Sequence, residues 1–378
     1  MDFSITEEQS MLQDSVAKFI ENDYDFETRQ KQSASDAGYS KEFWTTFGEL
    51  GWTAVPFSEE DGDLDGGPAE SMLIMEQFGR GLVLEPYLAS VILAGGVLRR
   101  LANDQQKATW MAGVAEGSRV GALAFTEPQS RYRLNDVALS ATKSGDGYTL
   151  NGSKGFVIDG GSADFFIVSA RTSGERQDEA GISFFVLDAN SKGVNVNAYP
   201  TVDGMRAAEI EFDQVSVGAD ALLGTEGEAY AVLSDVIDEA TLAVSSEALG
   251  IMEMLNHKTL DYTKNRVQFG MPIAAFQALQ HRMVDMFVTY EQTKSLLLFA
   301  VMTMESGSAE ERRSAVSAVK HQIGIAGTKL GQEAVQLHGG MGVTWELDVA
   351  HYFKRLTAIG NLFGNADYHL DRFADTLS

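Results

Sequence analysis

The chain has 378 residues, none of them cysteine, and 54 acidic against 29 basic side chains, a formal charge of −25. Disulfide frameworks, thiolate-held metals and cysteine nucleophiles are therefore excluded, and no metal site is expected. So negative a chain is also a poor partner for nucleic-acid backbones or anionic membrane surfaces.

Hydrophobic residues make up 44 % of the chain and there are only 6 prolines. A large core is possible, and at about 100–200 residues per domain two or three domains are expected. The start, Met1-Asp2-Phe3-Ser4-Ile5-Thr6-Glu7-Glu8, has neither the basic and apolar runs of a secretory signal nor the Arg-rich face of a transit peptide. No stretch reaches the roughly 18 apolar residues of a membrane span. A cytoplasmic location without membrane insertion is the expectation.

In chain order, residues 1–118 read as helical. Thr6 with Gln9 three residues on is a helix-start signal. Leu12, Val16, Phe19 and Ile20 then recur at helical spacing, as do Phe43, Trp44, Phe47 and Leu50 before Gly51. A Gly/Asp loop, Asp61 to Pro68, precedes a further helix with Met72, Leu73, Met75, Gln77 and Phe78. Residues 119–222 change texture: short apolar runs (121–125, 137–141, 148–150, 165–170, 182–187, 194–196, 209–212) alternate with turn residues, predicting a β-domain. Asn151-Gly152 is a hairpin-turn signal. Residues 223–378 return to helix, with long helices predicted over 228–266, 276–305 and 312–337. Glu7/Glu8, Glu59/Glu60/Asp61 and Glu310/Glu311 read as solvated surface. The methionines between 251–254 and 283–304 read as core.

Four motifs stand out. Phe125-Thr126-Glu127-Pro128 ends a predicted strand. Leu150-Asn151-Gly152-Ser153-Lys154-Gly155-Phe156-Val157-Ile158 follows. Arg266-Val267-Gln268-Phe269-Gly270-Met271-Pro272-Ile273, with Phe276-Gln277, closes a helix. An arginine there can bind a phosphate bidentately, or simply complement the helix dipole. Gln336-Leu337-His338-Gly339-Gly340-Met341-Gly342 lets a backbone approach an anion, or only stops a helix. His338 has no carboxylate partner in sequence and reads as structural.

In this order and at these intervals the motifs resemble the acyl-CoA dehydrogenase family over essentially the whole chain. The stretch Arg131 to Val137 resembles more specifically the small-subunit class of pimeloyl-CoA and steroid side-chain enzymes. The resemblance implies an α+β fold with an N-terminal helical domain, a central β-barrel or sandwich domain and a C-terminal four-helix bundle. It implies FAD as cofactor, an acyl-CoA substrate oxidised to the 2-enoyl thioester, and an electron-transfer acceptor. Leu123, Phe125, Thr126, Phe156 and Ile158 would face the flavin. Arg266, Phe269, Gln336, Gly339 and Gly340 would reach the FAD of a neighbouring subunit, making a dimer the minimum competent unit.

Three departures from the family pattern matter. The Gly-Ser-Asp segment expected after Thr-Glu-Pro is Pro128 to Arg133 here, where Arg131 or Arg133 would supply charge in its place. The usual flavin-facing Trp is Phe156, and the hydroxyl donor two residues later is Ile158. The glutamate base near the C-terminus is replaced by Phe363, and the alternative position on the long helix is Ala240. Glu247 lies seven residues beyond Ala240, about 20° away around the helix and about 10 Å along it. Glu239 points about 80° away from Glu247. Glu247 also occupies the place of the proposed base in the steroid-type branch, in an uncharged segment where burial would raise its pKa. It is the base candidate, ahead of Glu239 and Asp367.

Three functions follow. The first is a dehydrogenase for a bulky, dicarboxylyl or steroid-type acyl-CoA, working with a homologous second subunit in a heterotetramer, or else as a homo-oligomer. The second is a non-catalytic subunit completing a partner's FAD site. The third is a non-dehydrogenase flavoenzyme on the same fold.

Overall fold

Thr6 caps the first helix through its hydroxyl, and the Gln9 side chain returns the bond to the Thr6 amide. The reciprocal pair satisfies two amides that a helix start leaves orphaned. The computed structural model describes residues 5–58, 64 and 66–377. Met1 to Ser4, the Glu59/Glu60/Asp61 group and most of the Gly/Asp loop lie outside the described residues. Helical, sheet and helical regions follow one another in the expected order. No helix among the described residues is long and apolar enough to cross a membrane.

By contacts the chain divides into two compact units. One comprises residues 1–31, 67–83 and 241–378. It contains α1 (Glu7–Asp23), α4 (Pro68–Gly81), most of α8 (Tyr230–Asn265), α9 (Gln277–Ser306), α10 (Ala309–His338), α11 (Val349–Ile359) and α12 (Ala366–Ala374). Between α1 and α4 in sequence lie α2 (Phe26–Ser33) and α3 (Lys41–Glu49), and between α4 and α8 the short α5 (Gly95–Leu101), α6 (Asp104–Gln106) and α7 (Ala112–Ala115). Within this unit α10 packs on α9, α11 and α12. The α4 and α8 backbones touch: a Cβ on Gly79 would lie 2.0 Å from the Glu247 carbonyl oxygen, and one on Gly250 1.9 Å from that of Glu76. Only glycine permits so close a crossing. The Glu247 side chain, beside this crossing in sequence, is buried. Ile251, Met252 and Met286 are buried, while Met254, Met283, Met302 and Met304 are half-buried. Glu7, Glu8, Glu310 and Glu311 are exposed.

The other unit, residues 32–66 and 84–240, is built on an eight-stranded sheet. Its strands are β1 (Gly121–Ala124), β2 (Ser140–Ser144), β3 (Gly147–Ile158), β4 (Phe165–Arg171), β5 (Ile182–Asp188), β6 (Val194–Pro200), β7 (Arg206–Val217) and β8 (Leu222–Leu223). The order is β6-β7-β3-β2-β4-β5-β8, with β1 parallel to β4. Leu150, Val157, Phe166, Phe185, Ile210 and Phe212 lie at the centre of its core.

Two sequence expectations need correction here. Asn151-Gly152 is not a turn but lies inside β3, at a register shift against β7. The hairpin turn is Gly145-Asp146, where Ser144 faces Gly147. Gly152 is needed because Leu139 Cα would lie 2.8 Å from a Cβ there. Nor do Val137 to Leu139 form strand: the amides of Ala138 and Leu139 donate to the Glu127 carboxylate at 2.9 and 3.1 Å. A side chain has taken the place of the strand ladder.

Candidate active site

The β-domain presents one group of candidate residues. Gly155 N donates to Thr126 O at 2.9 Å, joining the end of β1 to the middle of β3. Phe156 and Ile158, two residues apart on β3, share a side and are half-buried, as are Phe125 and Thr126. Leu123 is buried within β1. The structure thus joins Thr126 to the Gly155-Phe156 segment, while Leu123 supports from inside the sheet.

Behind this surface lies a network that the sequence reading did not assign. Lys154 and Glu127 are both buried and pair at 2.8 Å, and Lys154 Nζ also donates to Ser169 Oγ at 3.0 Å. Glu127 further accepts from Gln129 at 2.7 Å and from the two amides above. Burial alone would raise the Glu127 carboxyl; the adjacent Lys154 charge and these bonds outweigh it and hold the pKa below the usual value. A bulge between Lys154 and Val157 lets both point inward although they are three residues apart. The sequence signal was present in the Glu of Thr-Glu-Pro and the Lys of Asn-Gly-x-Lys. Arg131 and Arg133, in the following loop, are exposed.

The second group lies in the helical unit. After α8, Val267-Gln268 (β9) and Met271-Pro272 (β10) form a small hairpin whose turn is Phe269-Gly270. Both turn residues have left-handed backbones, φ 54° and 82°, the geometry of a tight two-residue hairpin. Arg266 is exposed and its guanidinium has no partner among the described residues. Phe269 is 90 % exposed. At the end of α10, Gln336, Gly339 and Gly340 are exposed, and nothing lies within 4 Å of a Cβ on either glycine. His338 between them is buried: its Nδ1 lies 2.8 Å from the Ala334 carbonyl oxygen and its ring packs on Tyr262 at 4.3 Å. Burial lowers its pKa. Tyr262 also accepts the Arg266 amide at its carbonyl. The Tyr262–His338 contact therefore brings the Arg266 end of α8 to the glycine end of α10.

The base candidates stand as follows. Glu247 is buried, but both its oxygens are held by Arg355 of α11, at 2.6 and 2.8 Å. Its surroundings are thus not the uncharged ones expected from its chain neighbours. Glu239 is paired with Arg99 and Arg100. Asp367 is exposed in the first turn of α12. Phe363 is half-buried with φ 57°.

Family models of the N-terminal, middle and C-terminal domains of acyl-CoA dehydrogenase match residues 6–118, 122–215 and 230–378. A short-chain-specific acyl-CoA dehydrogenase of Clostridium acetobutylicum is 28 % identical over 366 residues, covering 94 % of this chain and 93 % of that one. The structure of butyryl-CoA dehydrogenase from Megasphaera elsdenii is 27 % identical, with a TM-score of 0.91 over all of both chains. A chain of the ChsE4–ChsE5 complex from Mycobacterium tuberculosis is 25 % identical, with a TM-score of 0.89 over 100 % of this chain and 99 % of that one.

Fold and matches define a flavoprotein oxidoreductase. The chain belongs to the acyl-CoA dehydrogenase family and is an FAD-dependent enzyme acting on acyl-CoA. The first two relatives are short-chain types and do not single out the small-subunit class. The residues present suit FAD: an unpaired guanidinium, uncovered glycine backbone and an exposed aromatic ring match a diphosphate and a purine. The half-buried Phe125, Thr126, Phe156 and Ile158 suit a flat, largely apolar ring system.

Proposed function

We propose that this chain oxidises a bulky, dicarboxylyl or steroid-type acyl-CoA as one subunit of a hetero-oligomer with a related second chain. The observation that carries the assembly is the hairpin after α8. Phe269 is 90 % exposed beside an unpartnered Arg266, a cost that makes sense when another subunit's cofactor covers it. The likeness to the ChsE4–ChsE5 complex, a two-protein assembly by its name, supports the partner.

In this reading Arg266, Phe269, Gln336, Gly339 and Gly340 hold the diphosphate and adenosine of a neighbouring FAD. Leu123, Phe125, Thr126, Phe156 and Ile158 support the flavin ring. FAD, when bound, supplies the acceptor for the substrate's β-hydrogen and its electron pair. Glu247 takes the α-proton, for which one of its oxygens must leave Arg355. Phe363, standing where most of the family carries its base, lines the acyl chain. An electron-transfer protein then serves as acceptor, in the cytoplasm.

The test is to purify the chain alone and measure its flavin content and turnover. Substoichiometric flavin, restored by co-expression with a related chain, is expected. Full flavin and full turnover from the lone chain would sink the obligatory partner.

A second reading is favoured by Arg355 itself. Because it occupies both Glu247 oxygens, Glu247 would be structural and the chain would complete a catalytic partner's site. The readings part on Glu247→Gln: the first requires turnover to be lost with FAD retained, the second leaves turnover unchanged.

A further inference from the structure

Between α11 and α12 the chain turns through Gly360 to Asn365. Its first part is closed by backbone bonds, Asn361 N and Leu362 N donating to Ala358 O at 2.9 and 3.1 Å. The rest is held by basic side chains. Lys320 Nζ, from α10, donates to Gly364 O at 2.7 Å. His369 Nε2 lies 3.1 Å from Phe363 O, and His321 Nδ1 2.9 Å from Ala366 O. At the centre Phe363 has φ 57° and Gly364 φ 125°. For an aromatic residue the left-handed region is sparsely populated and persists only where its surroundings impose it.

Lys320 is the unusual member. Its side chain is fully buried, and no carboxylate pairs with it among the described residues. The titratable groups named with it around the His369 ring are also of basic type. His369 and Arg372 stand on α12, where Arg372 bonds Ser317 of α10 at 3.2 Å, and His321 is the next residue on α10. Burial alone brings the Lys320 pKa down to about 7. A fully buried amine with no carboxylate partner is costly, and a methionine would fill the same space without that cost. What lysine adds is a donor long enough to reach the Gly364 carbonyl.

We propose that Lys320 is a positioning residue for acyl-CoA binding: through Gly364 O it holds the turn that presents Phe363 to the acyl chain. The proposal rests on the reading of Phe363 as an acyl-lining residue. Lys320 itself touches neither substrate nor cofactor; it acts by denying the turn its alternative conformations, so that the acyl wall is already formed when substrate arrives.

The test compares Lys320→Met, Lys320→Gln and Phe363→Leu with the wild type in the FAD-loaded assembly. The readouts are hydrogen exchange of residues 361–366, and KM and kcat for an acyl-CoA. Lys320→Met should speed exchange in the turn and raise KM about tenfold, with a much smaller change in kcat. Lys320→Gln, which keeps an N–H donor, should recover part of the loss. Unchanged exchange and KM in Lys320→Met, with Phe363→Leu raising KM, would overturn the role of Lys320 alone. Faster exchange in Lys320→Met, with KM untouched by Phe363→Leu, would overturn the acyl-lining reading and this proposal with it. Should Lys320→Met not fold, the glutamine variant carries the same comparison.

Discussion

One arginine and one glutamate decide how the reaction reading stands at the scale of single residues. Glu247 is nine-tenths and more buried and chelated by Arg355, so its two possible roles make opposite demands. A base must receive a proton; an ion-pair partner must not. Glu247→Gln keeps shape and a bond to Arg355 while removing the basic oxygen. If Glu247 is the base, turnover should fall by about 10³-fold or more with the flavin spectrum intact. Arg355→Met is the complementary change. It leaves a buried carboxylate uncompensated and should destabilise by about 3–5 kcal/mol, read as a lowered Tm, in either case. Sequence placed Glu247 within a long helix and foresaw its burial. It could not show Arg355, which lies 108 residues away in the chain. The same holds for Glu127 and Lys154, 27 residues apart: both motifs were visible, their pairing was not.

Among elements, the long helices were legible because they are rich in Ala, Leu, Val and Met, good helix formers or packers. The sheet was legible in outline but misread wherever tertiary contacts displace local signals. Asn151-Gly152 would turn in a short peptide; here the strand continues and the glycine accommodates Leu139. Val137 to Leu139 have strand composition, yet the Glu127 carboxylate takes the amides of Ala138 and Leu139. The α4–α8 crossing was not legible at all, since a glycine in a helix can mean several things. The structure makes it specific. In Gly250→Ala the new methyl would lie 1.9 Å from the Glu76 carbonyl oxygen, a backbone atom that cannot swing aside. The helices must separate, and a loss of about 1–3 kcal/mol is expected. Since Gly250 is less than one turn from Glu247, the separation should also disturb the Glu247–Arg355 pair. A lowered Tm accompanied by reduced turnover would show it; an unchanged Tm would mean that the crossing is looser than this packing.

For the whole molecule the governing quantity is the charge of −25, because FAD and acyl-CoA are anions too. Two electrostatic effects of opposite sign act on FAD. The summed acidic surface repels it over distances comparable with the Debye length, about 10 Å at 0.1 M salt. The exposed Arg266 guanidinium, if it meets the diphosphate, attracts it at contact, where screening is weaker. In the wild-type assembly added salt weakens both, and FAD affinity should change little. In Arg266→Ala the attraction is gone while the repulsion remains. That variant should bind FAD more weakly at low salt, and its affinity should recover in part as salt is raised from about 0.05 to 0.5 M, as screening removes the repulsion. Fluorescence titration of the apo-assembly with FAD measures both curves. If Arg266→Ala instead binds FAD as tightly as the wild type at every salt concentration, the hairpin guanidinium does not meet the diphosphate, and the placement of a neighbouring FAD at this end of α8 fails with it.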